Sequence, residues 1–238
     1  MLRFSLTKSK NEFNIHSMNT NSLIEEIIGN NKISASLTRK ERDKQLRKAD
    51  IMAAAERVFA LKGYHGAAMQ DIAREAQYAT GTVYLYFRDK EMLYFSLLEE
   101  KMRDLTDVLR QKAAQVTDAE DKLRIFMQES LNFFERNQDF FRIFFSEVSK
   151  GPMLKKGKPP KPSGMLQHKE FIEELISTGQ KQKIIRNDFS AEQIADILVS
   201  IFMAFIFDWL KEGPKDKKLN TAADFILDIF LSGAGRRK

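Results

Sequence analysis

The sequence predicts an all-α protein, and three observations lead to that prediction. Apolar residues recur at intervals of three and four, the helical period, along most of the chain. Strand-like alternation of apolar and polar residues is almost absent. Glycine and proline are sparse, with 11 and 5 among 238 residues, and Gly63 and Gly233 stand just past two of the periodic segments, where helices commonly end.

The periodic segments follow one another along the chain. The first carries its apolar face on Ile51, Ala55, Val58 and Phe59 and should end at Gly63. Five more helices are expected, the last two after Ser190 and up to Gly233. Their apolar stripes are Leu123, Met127, Leu131 and Phe134; Phe140, Phe141, Phe144, Phe145 and Val148; Met165, Ile172 and Leu175; Ile194, Leu198 and Ile201; and Phe225, Ile226, Ile229 and Phe230.

Three segments depart from the helical pattern. Residues 1–38, rich in Asn, Ser and Lys, are interpreted as a disordered N-terminal extension or the product of an upstream start codon. Residues 39–48 hold six basic and two acidic side chains; we interpret them as the run-in to the first helix, with a minor-groove arm as the alternative. Residues 150–164 contain four prolines and five lysines and are predicted to be a loop.

Composition excludes several kinds of site. With no cysteine, the chain has no disulfide framework and no thiolate metal site. The formal charge of +6 favours a polyanionic partner only weakly. No signal peptide is recognisable. Residues 197–207 are uncharged, but a membrane span needs about 20 residues, so we interpret them as a buried helix and expect no membrane partner.

Enzymatic chemistry finds little support in the sequence. His16, His65 and His168 are far apart, without metal-ligand or triad spacing, and no phosphate-binding glycine-rich loop occurs. Asp71 and Glu75 lie one helical turn apart beside Arg74 and are interpreted as solubilising charges. We expect no enzyme, no catalytic residue, no cofactor and no metal.

Two short helices are predicted at residues 69–76 and 80–87, separated by a three- or four-residue break. Helices this short are unstable alone, so each must pack against neighbours. Ile72, Ala76 and Val83 can form the small core between them, and Ala73 allows a close approach of the second helix. This geometry is that of a helix-turn-helix.

The run GYHGAAMQDIAREAQYATGTVYLYFRDKEML resembles the DNA-binding domain of the TetR family of bacterial transcriptional regulators. The resemblance implies a helix-turn-helix domain over residues 46–106 and a ligand-binding and dimerisation domain over 107–235. It further implies a cytoplasmic, ligand-responsive homodimer that binds a palindromic operator in double-stranded DNA. Such regulators are usually repressors that leave the operator when a small hydrophobic or amphipathic effector binds.

The resemblance also implies a set of DNA contacts. The start of the second short helix enters the major groove, where side chains reach base edges. The remaining candidates would bind phosphate or let the backbone approach it, although Arg74 could be a solvated charge and Tyr84 and Phe87 could be mainly core. The predicted contacts are Gln70, Arg74, Thr80, Gly81, Thr82, Tyr84, Leu85, Tyr86 and Lys90.

Several positions depart from the family pattern. Gln77 stands where glycine is usual in the turn, and a left-handed backbone there would cost about 1–2 kcal/mol. Ala79 replaces the usual serine before the recognition helix, and Ala67 and Ala68 replace the usual threonine or serine before the helix that precedes it. Each lost cap should cost about 1 kcal/mol, unless Thr80 takes over as the cap of the recognition helix.

The C-terminal half suggests an effector pocket and a dimer interface, although its phenylalanines could simply fill a core. The segment GTVYLYFRDKEMLYFSLLEEKM resembles fatty-acid-metabolism regulators of the family, which implies an acyl-CoA or another apolar effector. Pocket candidates are Phe126, Phe133, Phe134, Phe144, Phe145 and Phe202. The last two helices, near 190–211 and 219–234, would form the dimer interface through Ile201, Ala204, Phe205, Trp209, Ile226, Ile229 and Phe230.

Dimerisation has a physical reason, since two copies of one short helix can read a palindrome with half-sites roughly 34 Å apart. Effector binding would then shift the helix near residues 90–105 and move the two reading helices out of register. Two non-enzymatic alternatives stay open: a nucleoid-associated protein that binds DNA at many sites, and a protein-binding adaptor that has lost DNA binding.

Overall fold

The computed structural model describes residues 38–150, 163–212 and 219–234. These residues fold into nine α-helices and one 3₁₀ turn, which confirms the all-α prediction. In chain order they are α1 (Arg39–Gly66), α2 (Met69–Glu75), α3 (Thr80–Tyr86), α4 (Lys90–Ala113), α5 (Ala119–Arg136), α6 (Gln138–Lys150), α7 (Ser163–Lys181), α8 (Ala191–Glu212), the 3₁₀ turn (Leu219–Ala222) and α9 (Ala223–Ala234).

The chain divides into two units, residues 1–49 and 50–238. In the first unit, the described residues are Thr38 and the start of α1. Thr38 caps this helix, because its Oγ1 accepts from the Glu41 N–H at 3.2 Å while its own N–H donates to Glu41 Oε2 at 2.7 Å. Residues 39–48 are all helical and exposed and form the first ten residues of α1, so the helix begins earlier than the predicted run-in allows. A contact of this segment with the minor groove stays a prediction. The interpretation of the N-terminal extension lies outside the described residues.

The break in α1 at Gly63 follows from its backbone. Gly63 has φ +67° and ψ 173°, a conformation open to glycine but strained for other residues. Before it, Ile51, Ala55, Val58 and Phe59 are buried, as the period predicts. After Gly63 the helix makes one more turn and ends at Gly66. The helix end predicted at Gly63 is therefore a kink, three residues before the observed end of α1.

The buried side chains of the second unit form one continuous cluster that runs from Ile51 to Phe230. Aromatic contacts are frequent within it: Tyr94 stacks on Phe140 at 4.7 Å, and Phe134 lies 4.3 Å from Phe141, centroid to centroid. Helix α4 runs through residue 106 without interruption. The predicted domain boundary at that residue therefore stays a prediction.

The loop predicted at residues 150–164 is corrected at its two ends. Helix α6 extends to Lys150 and α7 begins at Ser163, so three residues of the predicted loop are helical and residues 151–162 lie outside the described part. Gly164 allows α7 to cross α4 closely, since a Cβ there would lie 2.5 Å from the Glu99 carbonyl oxygen.

Helix α8 corrects the interpretation of residues 197–207 as a buried helix. Within the described residues, the stretch Ala191–Lys211 is long and apolar enough to cross a membrane by length and composition alone, and 33% of its apolar 18-residue window is buried. One face, with Ile194, Leu198 and Phe202, packs in the core, whereas Ile197 is 56% exposed on the other. The period identifies an apolar helix here but does not show which faces are covered within one subunit.

Candidate nucleic-acid interface and effector cavity

Helices α2 and α3 form the predicted helix-turn-helix. Ile72, Ala73 and Val83 are buried between them and Ala76 is half-buried, which confirms the small core expected from the sequence. The turn is held by two hydrogen bonds, from the Gln77 N–H to the Arg74 carbonyl at 3.2 Å and from the Tyr78 N–H to the Ala73 carbonyl at 2.9 Å. The two short helices are thereby fixed as one unit.

Gln77 has a left-handed backbone with φ +59°. Its position just after the end of α2, together with the two turn hydrogen bonds, is the Schellman arrangement that glycine usually completes. The left-handed backbone expected at this departure is confirmed, and its energetic cost stays a prediction.

The helix-turn-helix lacks side-chain caps at both helix starts. Neither Ala68 nor Ala79 provides a capping side chain. At α2 the Asp71 carboxylate partly compensates, because it accepts the Ala68 N–H at 3.3 Å. Thr80 is the first residue inside α3 and Ala79 its N-cap, so the expectation that Thr80 takes over as the cap is wrong. The turn places Thr80 one position too late, where its backbone is already helical.

The solvent face of α3 presents the side chains that the resemblance assigns to DNA. Leu85 is 85% exposed and Tyr84 is 48% exposed. Gly81 is exposed, and a Cβ there would meet nothing within 4 Å, so a partner could approach the backbone closely. The other predicted contacts of this helix, Thr80, Thr82 and Tyr86, are half-buried, and the neighbouring Phe87 belongs to the core.

The two α2 candidates are both exposed. Arg74 forms an ion pair with Asp71, which also pairs with Lys62 at 2.9 Å. The hydrogen bond from Lys62 holds the pKa of the Asp71 carboxyl below its usual range, although burial opposes this. The Arg74 guanidinium therefore has an intramolecular partner, whereas Gln70 lies on the surface; a phosphate contact for either residue stays a prediction.

The Lys90 side chain is directed at the chain's own backbone. Its ammonium donates to the carbonyls of Tyr64 and of Ala67, the latter at 2.8 Å, and lies 4.5 Å from the centroid of the Tyr64 ring. Burial lowers the pKa of this ammonium. Because a lysine has three N–H donors, two hydrogen bonds to carbonyls leave Lys90 one donor for a phosphate. The predicted DNA contact is therefore compatible with a structural role of Lys90 in holding the connection between α1 and α2.

An apolar cavity of about 470 Å³ lies between α4, α5, α6, α7 and α8. Five of the six predicted pocket residues line it: Phe126, Phe134, Phe144, Phe145 and Phe202. Phe133 is not among its lining residues; its ring packs instead against Phe134 and Phe141 at 6.0 and 5.9 Å. The position of an effector in this cavity stays a prediction.

Sequence reasoning missed the polar residues of the cavity. His168, Lys169 and Asp196 are among its lining residues. The His168 Nδ1 lies 2.9 Å from Thr106 Oγ1, and burial lowers the pKa of the ring to about 4. Since Thr106 and His168 are 62 positions apart, no local pattern in the sequence connects them.

An apolar surface is formed by α8 and α9, the helices that the resemblance assigns to dimerisation. Ile229 is 49% exposed, Ala204 is exposed, and Ile201, Phe205 and Trp209 are half-buried. The remaining two predicted interface residues are placed differently, because Ile226 and Phe230 are buried inside the subunit. Their places on the surface are taken by Ile197 and Phe225.

Comparisons with known proteins agree with this geometry. Residues 51–97 match the family described as bacterial regulatory proteins, tetR family. The chain is 32% identical over 99 residues to the HTH-type transcriptional activator FasR of Mycolicibacterium smegmatis, covering 42% of this chain and 45% of FasR. It is 35% identical over 79 residues to the fatty acid metabolism regulator protein of Bacillus subtilis, covering 33% and 41%. The match thus spans less than half the length of these two relatives.

A solved structure extends the similarity to most of the fold. The transcriptional regulator FadR from Bacillus subtilis, in complex with stearoyl-CoA, superposes with a TM-score of 0.66 over 78% of this chain and 98% of that one, at 19% identity. At this level of identity the similarity concerns the fold. The match to the tetR family model thus covers the helix-turn-helix segment, and beyond that segment the chain shares the fold of FadR.

Proposed function

We propose that this protein is a dimeric, ligand-responsive transcriptional regulator that binds a palindromic DNA operator and releases it when an apolar or amphipathic effector occupies the cavity. The observation that carries the proposal is the exposed face of α3, with Gly81, Tyr84 and Leu85 held outward by the α2–α3 core. An exposed leucine on a short, supported helix suits contact with a thymine methyl group in the major groove.

The cavity supports the ligand-responsive part of the proposal. About 470 Å³ with a mainly apolar lining that includes six phenylalanines suits a small apolar molecule or the apolar chain of a larger one. Since FadR of Bacillus subtilis was solved with stearoyl-CoA, acyl-CoA thioesters are the first effectors to test. The proposal includes a cytoplasmic location and no catalytic activity.

The exposed apolar face of α8 and α9 supports a homodimer. Ile197, Phe225 and Ile229 leave apolar area in water within one subunit, and a second copy related by a twofold axis would cover the same patch on both chains.

Fluorescence anisotropy tests the proposal. A labelled duplex from upstream of the protein's own gene is titrated with protein at low salt, and acyl-CoAs of several chain lengths are then added. We expect a saturable complex that at least one chain length dissociates. A complex insensitive to every acyl-CoA would remove that effector class, and protection of many dispersed sites in a footprint would favour a nucleoid-associated protein.

Leu85→Ala gives the residue-level test, with Leu61→Ala as its matched control. Both leucines are 85% exposed, one on α3 and the other on α1. We expect Leu85→Ala to weaken operator binding about 3- to 10-fold, the loss of one apolar base contact, and Leu61→Ala to leave it within about twofold. Equal affinities for both variants would count against α3 as the reading helix.

A further inference from the structure

Three polar side chains, His168, Lys169 and Asp196, are found among the described residues that line the α4–α8 cavity. Of these, His168 is the one without a charge, because burial lowers the pKa of its ring to about 4. It lies beside Phe126, whose ring centroid is 6.2 Å from that of the imidazole. It is therefore the one uncharged polar group among these three, in a lining that is mainly apolar.

The hydrogen bonds of Thr106 determine which ring nitrogen of His168 carries the proton. The Thr106 hydroxyl donates to the Met102 carbonyl at 2.7 Å, a contact in which the carbonyl can only accept. A hydroxyl has a single hydrogen, so toward His168 Nδ1, at 2.9 Å, the same oxygen must accept. Nδ1 therefore carries the hydrogen, and Nε2 of the neutral ring has a free lone pair.

Thr106 is the one hydrogen-bond partner of the His168 ring within the described ranges. The ring is half-buried, so a ligand that displaces water from Nε2 loses a hydrogen bond unless it supplies a donor itself. The histidine is thus held in one tautomer by the fold, and its ring, which lines the cavity, keeps Nε2 as the nitrogen that Thr106 does not occupy.

The charged side chains of the lining do not form a binding site for an anionic group. Lys169 Nζ lies 2.8 Å from Glu192, 3.6 Å from Glu173 and 3.9 Å from Asp196. Three carboxylates surround one ammonium, so this cluster carries a net negative charge. Recognition of a neutral polar group is left to His168.

We propose that His168 Nε2 accepts a hydrogen bond from the effector, and that the cavity therefore selects apolar molecules that carry a hydroxyl or an amide N–H. This inference rests on the proposed function of the cavity as the effector site. The apolar lining alone would select ligands by the length and volume of their apolar chain, with or without a hydrogen-bond donor. The His168 contact adds the requirement that the ligand carry such a donor.

Two matched pairs of probes separate the possible sources of the donor. 1-Decanol and decyl methyl ether share a chain and differ in the hydroxyl hydrogen, whereas N-decylacetamide and decyl acetate differ in an N–H replaced by an oxygen. Dissociation constants are measured by isothermal titration calorimetry with the full chain. We expect the donor member of at least one pair to bind about 3- to 10-fold more tightly, the effect of one net hydrogen bond.

The variants show whether that preference depends on His168. In His168→Phe the ratio within the preferred pair should fall to about 1, and in Thr106→Val it should fall partway, because the ring is then free to place its hydrogen on either nitrogen. Ile172→Val, an apolar lining residue one helical turn from His168, should weaken both members of a pair alike and preserve their ratio. A ratio unchanged in His168→Phe, or a wild-type ratio near 1 in both pairs, would overturn the inference.

The proposed function is distinguishable from this inference. If probes bind and release DNA without any donor preference, the effector site stands and the role of His168 does not. If no probe binds wild-type protein, the inference fails, whereas operator binding and acyl-CoA release are judged by the anisotropy experiment. Should His168→Phe not fold, two-bond ¹H–¹⁵N correlation spectra of the wild type report the tautomer directly: we expect a protonated Nδ1 on His168, and a protonated Nε2 would contradict the assignment.

Discussion

The left-handed backbone at Gln77 makes a quantitative prediction for the turn of the helix-turn-helix. With φ +59°, a residue with a Cβ is disfavoured there by about 1–2 kcal/mol relative to glycine. Gln77→Gly removes that strain but makes the unfolded chain more flexible, which opposes it by about 0.5–1 kcal/mol. The free energy of unfolding should therefore rise by about 0.5–1 kcal/mol.

Urea denaturation followed by circular dichroism measures this change, with unaltered slope and a midpoint moved to higher urea. In a thermal scan the same gain corresponds to an increase in Tm of about 1–4 °C for a chain of this size. Lys183→Gly provides an independent repeat, since Lys183 has φ +63° after the end of α7 and its neighbour's N–H donates to the Gly179 carbonyl at 3.0 Å.

Ala76→Gly is the matched control, one position earlier and with an ordinary helical φ of −78°. There glycine relieves no strain, so stability should fall by up to about 1 kcal/mol. If Gln77→Gly lowers stability as Ala76→Gly does, the strain attributed to the Gln77 backbone is absent and the reasoning is refuted.

Three further predictions concern stability and assembly. The pKa of His168 is about 4 in the fold and 6.5 ordinarily, so as the pH falls the unfolded chain takes up a proton before the folded one does. Between pH 7 and pH 4 the free energy of unfolding of the wild type should therefore fall by about 3 kcal/mol more than that of His168→Phe. Equal losses for the two proteins in urea titrations would contradict this. Gly164→Ala should destabilise by about 1–3 kcal/mol, because its Cβ would lie 2.5 Å from a backbone oxygen; a gain in Tm would show that helix propensity dominates. Ile229→Asp, on the exposed α9 face, should shift sedimentation velocity toward monomer, and an unchanged dimer would place the interface elsewhere.

The helices were predictable because the buried face of a helix is apolar, so the spacing of apolar residues in the sequence shows the helical period. Ile51, Val58 and Phe59 lie in the core as the pattern requires. The turn was predictable from the family resemblance, which implies a glycine where this chain has Gln77, and the left-handed backbone of Gln77 agrees with it.

What the sequence could not determine is which neighbour covers an apolar face. Helix α9 is apolar on several sides, and Ile226 and Phe230 face its own subunit while Phe225 and Ile229 face solvent; periodicity alone treats all four alike. In the same way Phe133 packs against other phenylalanines instead of lining the cavity.

Polar contacts between distant segments were also beyond the sequence. The ammonium of Lys90 reaches carbonyls 23 and 26 positions away, so a residue that the resemblance assigns to phosphate also holds the backbone of its own chain. The Thr106–His168 pair joins α4 to α7, and only the folded arrangement brings the two together.

The central claim is that paired subunits present α3 to successive turns of one duplex. Sedimentation velocity of the protein with a fluorescent duplex from upstream of its own gene, at low salt and micromolar protein, tests it most directly. We predict a complex with two subunits, or a multiple of two, on each duplex. A protein that sediments as a monomer and leaves the duplex unbound would contradict the claim.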